Sequence, residues 1–344
     1  MGDFSWVLVG LIDAISLAVI FLFGCIGETI NEKAGNLNLG IPGVMCIGAA
    51  GGAVGALVYM KTIYKVLPID IDAISFSFGS LVSYILLMLF VIIFVTIFAG
   101  LSGLLFSFLT TSLKANQNVT GLALTTFGAG FADFIMGLIR TTENKPLFTI
   151  ASKIIRFHLP FNEAALGQAG MLLLGNGLFV YLCFALAIVV FLVLNKTRIG
   201  LSVRAIGENP ATADAAGINT DKYKYFATMI GCSIAGFGGF FYTMSHVGGT
   251  WENSATLQGL GWMVLALVIF TVWNPLLAIV GSVIFGFLMS LPYVIPGIGF
   301  VEMELIKILP YAVTIIVLIF TSILGKKNVL PPGSLGVNYF REER

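Results

Sequence analysis

The sequence predicts an all-α fold: a polytopic transmembrane helical bundle with about nine spans and a broken helix near residues 28–43. Of the 344 residues, 58% are hydrophobic and only 10% are charged, whereas soluble domains carry about 25% charged residues. About 20 apolar residues cross a bilayer, and runs of that kind recur along the chain. The predicted spans form a single domain, residues 1–344, and cover 7–27, 39–60, 78–98, 119–139, 171–194, 225–245, 257–272, 276–295 and 306–324.

Charged loops set the orientation of these spans. Loop 195–224 carries five basic residues, Lys196, Arg198, Arg204, Lys222 and Lys224. Basic loops stay in the cytoplasm, so this loop is predicted to lie inside. The inner side then also holds Lys114, the turn at 273–275 and the chain end with Lys326 and Lys327; the outer side holds residues 60–77, loop 140–170 and residues 246–256. Loop 140–170 either contacts an external protein or caps the outer helix ends.

The most informative polar stretch is residues 204–218, which read Arg204-Ala-Ile-Gly-Glu-Asn-Pro-Ala-Thr-Ala-Asp-Ala-Ala-Gly-Ile218. Asn209 suits a helix N-cap, and Pro210 suits the first helical position. Four alanines favour helix, and Gly217 can adopt the left-handed conformation that ends one. The stretch therefore predicts a helix of about two turns. Because so short a helix is unstable alone, it must dock against its own protein or a partner.

A second polar stretch, residues 28–43, joins the first two spans. Its polar members include Glu28, Asn31, Glu32, Asn36 and Asn38. Helical spacing places the first three on one face, and Gly35 and Pro42 indicate a helix break. Charges at membrane depth cost about 2.5–3.5 kcal/mol on insertion scales, so these groups need water, a partner or a cavity. The stretch is either a broken helix beside a transport path or a cytoplasmic loop with solvated charges.

The remaining chemistry-bearing residues are few. Asp133 lies inside the fourth predicted span, where an acid either serves function or pairs with a structural neighbour. The four cysteines form no Cys-x-x-Cys pair, so we expect neither a disulfide framework nor a metal site. We expect no catalytic residues, because no nucleophile–base constellation is present. The chain also lacks a P-loop, and its net charge of +1 does not favour nucleic acid.

Both polar stretches resemble the ABC importer permeases that serve branched-chain amino acids, simple sugars and nucleosides. Residues 204–218 are similar to the cytoplasmic loop that carries the coupling helix of that family. Residues 27–40 look like its nucleoside branch, although Pro42 stands where an acid is usual. Further similar segments are Ala115-Asn-Gln-Asn-Val119, residues 261–275, Leu309-Pro310-Tyr311 and residues 335–339, so the resemblance covers nearly the whole chain.

The resemblance implies the non-enzymatic permease subunit of a bacterial ABC importer in the cytoplasmic (inner) membrane. Its partners would be an ATPase subunit that binds ATP and Mg, a second permease subunit of the same or a homologous chain, and an extracellular substrate-binding lipoprotein. This chain itself would bind no cofactor. The expected solute is a purine nucleoside, with riboflavin, a sugar or a branched-chain amino acid as alternatives. Transport would proceed by ATP-driven alternating access.

Two sets of site residues follow. The ATPase-coupling residues are predicted to be Arg204, Gly207, Glu208, Asn209, Pro210, Ala213, Ala216, Gly217 and Ile218. The substrate path is predicted to include Glu28, Asn31, Asn36, Asn38, Asn116, Asn118 and Asp133. The alternative from another class is an ion-coupled secondary transporter that uses Glu28, Glu32 and Asp133 and works without an ATPase.

Overall fold

A computed structural model describes residues 5–66, 78–156, 176–324 and 331–340. The described residues form helices and connecting segments, with no strand among them. The helices are α1 Ser5–Lys33, α2 Ile41–Tyr59, α3 Phe78–Ser107, α4 Gln117–Ile139, α5 Lys145–Ile155, α6 Leu178–Lys196, α7 Arg198–Glu208, α8 Pro210–Ala215, α9 Thr220–Phe241, α10 Ala255–Phe270, α11 Pro275–Val294, α12 Phe300–Ile306 and α13 Leu309–Leu324. Short π-helical turns, Met60–Tyr64, Phe108–Ser112 and Tyr242–His246, extend α2, α3 and α9.

Helices α1, α2 and α9 form the centre of the bundle. Helix α1 packs against α9 and α11, and α2 packs against α3, α4 and α9. Glycines allow these close approaches: a Cβ on Gly48 of α2 would lie 2.3 Å from the backbone of Gly236 of α9. Since lipid supplies no hydrophobic drive between helices, such backbone contact is a main source of packing energy in a membrane.

Each predicted span overlaps a helix of the described chain, and residues 171–175 of the fifth span lie outside the described residues. Seven helices of the described chain are long and apolar enough to cross a membrane. The other two predicted spans correspond to α10 and α13, which have 16 residues each. At 1.5 Å per residue they reach about 24 Å, somewhat less than the hydrocarbon core. The all-α membrane fold is thereby confirmed, and the predicted break appears as the non-helical residues 34–40 between α1 and α2.

The loops gather at two ends of the bundle in the predicted groups. At one end, here called the α8 end, the backbone N–H of Gly336 donates to Gly35 O, and that of Leu37 donates to the Gln117 side chain. At the opposite end, here called the Trp251 end, Arg140 donates to Trp251 O over 2.7 Å. Lys326 and Lys327 lie outside the described residues.

Helix α5 occupies the described part of loop 140–170 at the Trp251 end. It is amphipathic, and its apolar side chains Phe148, Ala151 and Ile155 are buried against the bundle. Arg156, which follows it, donates to Ser245 O at the end of α9. The described part of the loop therefore caps helix ends, which was one of the two predictions for it. Residues 157–170 lie outside the described chain.

A polar connector beneath a short capped helix

Helix α8 is capped at both ends by its own sequence. The Asn209 side chain accepts the Thr212 N–H over 3.0 Å, and Pro210 occupies the first turn. At the other end Gly217 has φ +83°. Its N–H donates to Asp214 O, and the Ile218 N–H donates to Ala213 O, both over 3.0 Å. This pair of bonds is a Schellman motif, and the predicted helix boundaries are confirmed.

One side of α8 docks on its own protein and the other is open. Ala213 is 3% exposed, so it anchors the helix to the bundle. The open side carries only small side chains and a glycine, namely Ala211, Thr212, Ala215, Ala216 and Gly217. A surface of small residues lets another backbone approach closely. The helix thus has a docked face and a face available to a partner.

The other predicted coupling residues belong to α7 or flank α8. Glu208 and Asn209 are exposed, whereas Arg204, Pro210 and Ile218 are half-buried. Gly207 is buried against the end of α1, where a Cβ would lie 2.3 Å from Lys33 O. Gly207 therefore provides close contact within the chain.

That contact leads directly to residues 28–40, here called the polar connector. Glu28 lies at its centre and is 0% exposed. One carboxylate oxygen accepts from Asn31 Nδ2 over 2.7 Å, and the other accepts the Asn38 backbone N–H over 3.2 Å. These bonds replace the water that a buried carboxylate loses, and they join the last turns of α1 to the segment that follows.

The connector is also tied to α9. Asn36 Nδ2 donates to Thr228 Oγ1 over 2.7 Å. Asn38 Nδ2 donates to Cys232 Sγ over 3.4 Å, while its Oδ1 accepts the Gly40 N–H over 3.0 Å. Both asparagines are at most 1% exposed. The reading of this stretch as a loop with solvated charges is therefore wrong, because tertiary packing buries it.

The turn between α10 and α11 contacts the same connector. Trp273 Nε1 donates to a Glu32 carboxylate oxygen, and both residues are at most 5% exposed. Val272 and Trp273 have φ of +53° and +52°, a conformation that is strained for bulky and β-branched residues. A strained backbone conformation persists where the surrounding structure fixes it. The hydrogen bond from Trp273 to Glu32 fixes this turn.

Helix α4 approaches the connector at one end and carries Asp133 near the other. Its first residue is capped by Asn116, which accepts the Val119 N–H over 3.1 Å, and Asn118 is exposed. Thr125 Oγ1 donates to Leu39 O over 2.9 Å. The structure thus places Asn116 as a helix cap and Asn118 at the surface, both at the α8 end.

Asp133 lies apart from the connector, toward the Trp251 end. Its carboxylate accepts from Trp251 Nε1 over 2.9 Å and from Ser254 Oγ over 2.7 Å. Arg140 donates to Trp251 O. Partial burial lowers the pKa of Arg140, but its guanidinium stays charged, since this group is always protonated in proteins. Asp133 is nevertheless exposed. It continues a stripe of small and polar residues on the open side of α4, namely Ala123, Thr126, Gly130 and Gly137.

A groove of about 510 Å³ opens beside α8. Asp214 and Gly217 of the α8 region line one side, and Tyr339 and Phe340 line another. Lys114 belongs to the α3–α4 connection, and its Nζ lies 3.9 Å from Asp221 Oδ1 in the same groove. The open face of α8 is thus continuous with a concave, mixed-charge surface.

Sequence reasoning missed several residues of this end. Trp273 lies within the similar segment 261–275, and Ser334 lies in none of the motifs. Thr228 carries no sequence signal, since a threonine in an apolar helix is unremarkable. For Ser334, the available signal is that it directly precedes the similar segment 335–339.

Comparison with known proteins agrees with this architecture. Residues 10–318 match the family model described as branched-chain amino acid transport system / permease component. The nucleoside ABC transporter permease protein NupC of Lactococcus lactis is 30% identical over 331 residues, which are 94% of this chain and 93% of that protein. The guanosine ABC transporter permease protein NupQ of Bacillus subtilis is 27% identical over 338 residues, 95% of each chain.

A relative with another solute in its name is similar to the same degree. The putative glucose ABC transporter permease protein TsgC13 of Haloferax volcanii is 30% identical over 292 residues, 82% of this chain and 76% of that protein. No solved structure shows significant similarity. The match to the family model covers most of the chain. It confirms the family membership that the sequence motifs predicted. The chain belongs to the branched-chain amino acid transport system permease family and is a multi-pass membrane subunit of an ABC transporter, a transport component without a catalytic role.

Proposed function

We propose that this permease imports a purine nucleoside. The observation that carries the proposal is that the relatives named for nucleoside and guanosine transport align over 94% and 95% of this chain. The putative glucose permease is equally identical but covers 82%. A sugar is therefore the second candidate. Riboflavin and branched-chain amino acids remain solutes to compare in the same assay.

The stripe on α4 supports a solute path on the open side of this helix. A carboxylate that faces lipid is costly, so the exposed Asp133 must face water or another subunit. A second permease subunit across this face would enclose the path. Each Asp133 oxygen keeps a lone pair beyond its bond to Trp251 or Ser254. It can accept from a ribose hydroxyl or a base N–H, and the Trp251 indole offers a surface for stacking on a base.

The connector residues would join this path when the α8 end opens. Glu28, Asn31, Asn36 and Asn38 are buried in the present conformation. The side-chain carbonyl of Asn36 accepts no hydrogen bond from any described residue. A buried acceptor without a partner costs free energy, so water or a solute group that reaches it would be bound favourably. Asn116 and Asn118, at the surface of this end, would line the exit.

We assign one proposed partner protein to each end of the bundle. An ATPase subunit, which binds ATP and Mg, would dock on the open face of α8 and drive alternating access through differential contacts with the two states. A substrate-binding lipoprotein would deliver solute at the Trp251 end, and the chain would sit in the bacterial cytoplasmic membrane. Membership of an ABC permease family argues against the alternative hypothesis of an ion-coupled secondary transporter. Glu28 and Glu32 accept hydrogen bonds from Asn31, Asn38 and Trp273 within the chain.

The test is solute uptake in vesicles that contain this chain and the products of its genomic neighbours. Labelled guanosine, glucose, riboflavin and leucine are compared with and without internal ATP. ATP-dependent uptake of guanosine alone supports the proposal. Uptake of another solute, or guanosine uptake that ignores ATP and follows an ion gradient, contradicts it.

A variant pair sharpens the assignment of Asp133. Asp133→Asn keeps the shape but removes the charge, and we expect KM for guanosine to rise about ten- to a hundredfold, as for a lost charged hydrogen bond of about 1.5–3 kcal/mol. Asp13→Asn is the matched control, since Asp13 is also exposed on a spanning helix. Equal KM values for both variants would remove Asp133 from the path.

A further inference from the structure

The end of the chain returns to the α8 end and makes three groups of hydrogen bonds there. Residues 331–340, here called the C-terminal segment, contain no helix. Even so, Ser334 is 8% exposed, and Asn338 and Tyr339 are half-buried. A chain end without tertiary partners is usually poorly ordered, so the contacts that hold this one require an explanation.

The first contact is with the end of α7. The Ser334 N–H donates to Gly207 O over 2.9 Å, and Ser334 Oγ lies 2.7 Å from the same oxygen and 3.1 Å from Ile206 O. The Gly333 N–H donates to the Glu208 carboxylate over 3.3 Å. The last carbonyls of a helix lack intrahelical partners, and the segment supplies donors to them.

The second contact is with the polar connector and the start of α4. The Gly336 N–H donates to Gly35 O over 3.3 Å. Asn338 Nδ2 donates to Lys114 O over 2.7 Å and to Ala115 O over 3.2 Å, while its Oδ1 accepts from Gln117 over 3.3 Å. Gln117 in turn accepts the Leu37 N–H. The segment thus bridges the connector to the α3–α4 connection.

The third contact is with α8 itself. Tyr339 Oη donates to the Asp214 carboxylate over 2.9 Å. Helix α8 has six residues and buries only Ala213, and this bond joins it directly to the C-terminal segment. A force applied to the open face of α8 therefore passes into the C-terminal segment as well as along the covalent chain into α7 and α9.

We propose that the C-terminal segment is a positioning element of the coupling apparatus, which makes α8, the end of α7 and the polar connector move as one body. The inference rests on the proposed function, since it takes α8 as the docking helix for an ATPase. Movement imposed on α8 enters the segment through Tyr339 and leaves it through Gly336 to Gly35 and the buried connector, which is the part of the path that must open.

The competing explanation is that the segment only covers polar backbone at the surface. The two explanations differ in what a lost bond does. A merely covering segment affects thermal stability alone. A positioning segment affects the amount of ATP hydrolysed for each solute molecule imported, while the ATPase remains bound.

The test uses the full transporter in vesicles, with Tyr339→Phe and Ser334→Ala in this chain. We expect unchanged copurification of the ATPase and a roughly two- to tenfold rise in ATP hydrolysed per guanosine imported, the factor that corresponds to one hydrogen bond. Ser334→Thr, which keeps the hydroxyl, should restore the ratio. A wild-type ratio in both variants would overturn the inference.

Matched controls separate the bond from the substitution. Tyr293→Phe removes a hydroxyl at a tyrosine that is 72% exposed and far from α8. Ser202→Ala removes a bond that is local to α7, from Ser202 Oγ to Arg198 O. Both controls should keep the wild-type ratio. A control that raises the ratio as much as its partner variant would show that the C-terminal segment has no special role.

A cross-link keeps the proposal testable if the variants fold poorly. The double variant Asp214→Cys, Tyr339→Cys is joined by a short thiol-reactive reagent, and the four native cysteines are buried. If the segment and α8 move together, uptake persists in the cross-linked protein. Uptake that stops on cross-linking would overturn the inference. The proposed function is judged separately: if Gly217→Val leaves ATPase association and uptake unchanged, the docking role of α8 itself fails.

Discussion

Helix α8 and the polar connector are neighbours, yet the caps of α8 are formed by nearby residues, whereas the connector is held to other helices by long-range hydrogen bonds. Every cap of α8 joins residues three to five positions apart, as from Asn209 to Thr212 and from Ala213 to Ile218. The connector binds partners far along the chain: Asn36 to Thr228, 192 positions away, and Glu32 to Trp273, 241 positions away. One element is completed locally and left open to a partner, and the other exists only within the assembled bundle.

This difference indicates a division of labour. A locally complete helix can shift as a unit without losing its own bonds. A connector with remote bonds on several sides senses any such shift, because its partners lie on α4, α9 and the α10–α11 turn. Substitutions in the connector should therefore change stability, and those in α8 should change partner association.

The largest effect is expected for Glu28→Ala. It leaves two buried donors, Asn31 Nδ2 and the Asn38 N–H, without their acceptor, at about 1–3 kcal/mol each. Thermal unfolding in detergent should show a fall of many degrees. Glu28→Gln retains an acceptor oxygen and should lose clearly less. Equal losses in the two variants would mean that these bonds contribute little.

Gly207→Ala should have the next largest effect. Its Cβ would lie 2.3 Å from Lys33 O, and overpacking of this kind costs about 1–3 kcal/mol. The matched control is Gly259→Ala in α10, where a Cβ meets nothing within 4 Å; alanine is the better helix former there, so stability should rise by about 0.5–1 kcal/mol. Comparable melting temperatures in both variants would contradict the close contact of α7 with the connector.

Gly217→Val tests the open helix. Its φ of +83° costs a residue with a Cβ about 1–2 kcal/mol, which should displace the end of α8 and weaken ATPase association in a copurification assay. Gly297→Val imposes the same strain at φ +77° in the turn after α11, again with nothing within 4 Å. Loss of association in both variants, or in neither, would break the distinction between the two regions.

The smallest effect is expected for Asn209→Ala. Loss of its cap bond to Thr212 costs about 1 kcal/mol and should reduce ATPase association modestly, with little change in melting temperature. Asn219→Ala removes a cap of the same kind, to Lys222 N at the start of α9, where a helix of 22 residues tolerates it. A larger loss of association for Asn219→Ala than for Asn209→Ala would reverse the assignment.

The same contrast explains what the sequence could predict. The bounds of α8, its caps and the break after α1 depend on residues within a few positions of one another, so they were predictable. Because successive spans alternate in direction, the sequence also predicted that the basic loop, Trp273 and the chain end lie at the same end of the bundle. The partners of Glu32, Asn36 and Ser334 could not be predicted, because a hydrogen bond between residues more than 100 positions apart has no periodicity or spacing to detect.

The bond between Gly336 and Gly35 has a consequence for biogenesis. The two residues are separated by about 300 positions, which at roughly 5–20 residues per second corresponds to on the order of 15–60 s of synthesis. The buried polar end of α1 thus enters the membrane long before its last cover is made. A chain that stops short of residue 331 would lack the hydrogen bond that Gly336 donates to Gly35 and would leave that end of the connector uncovered.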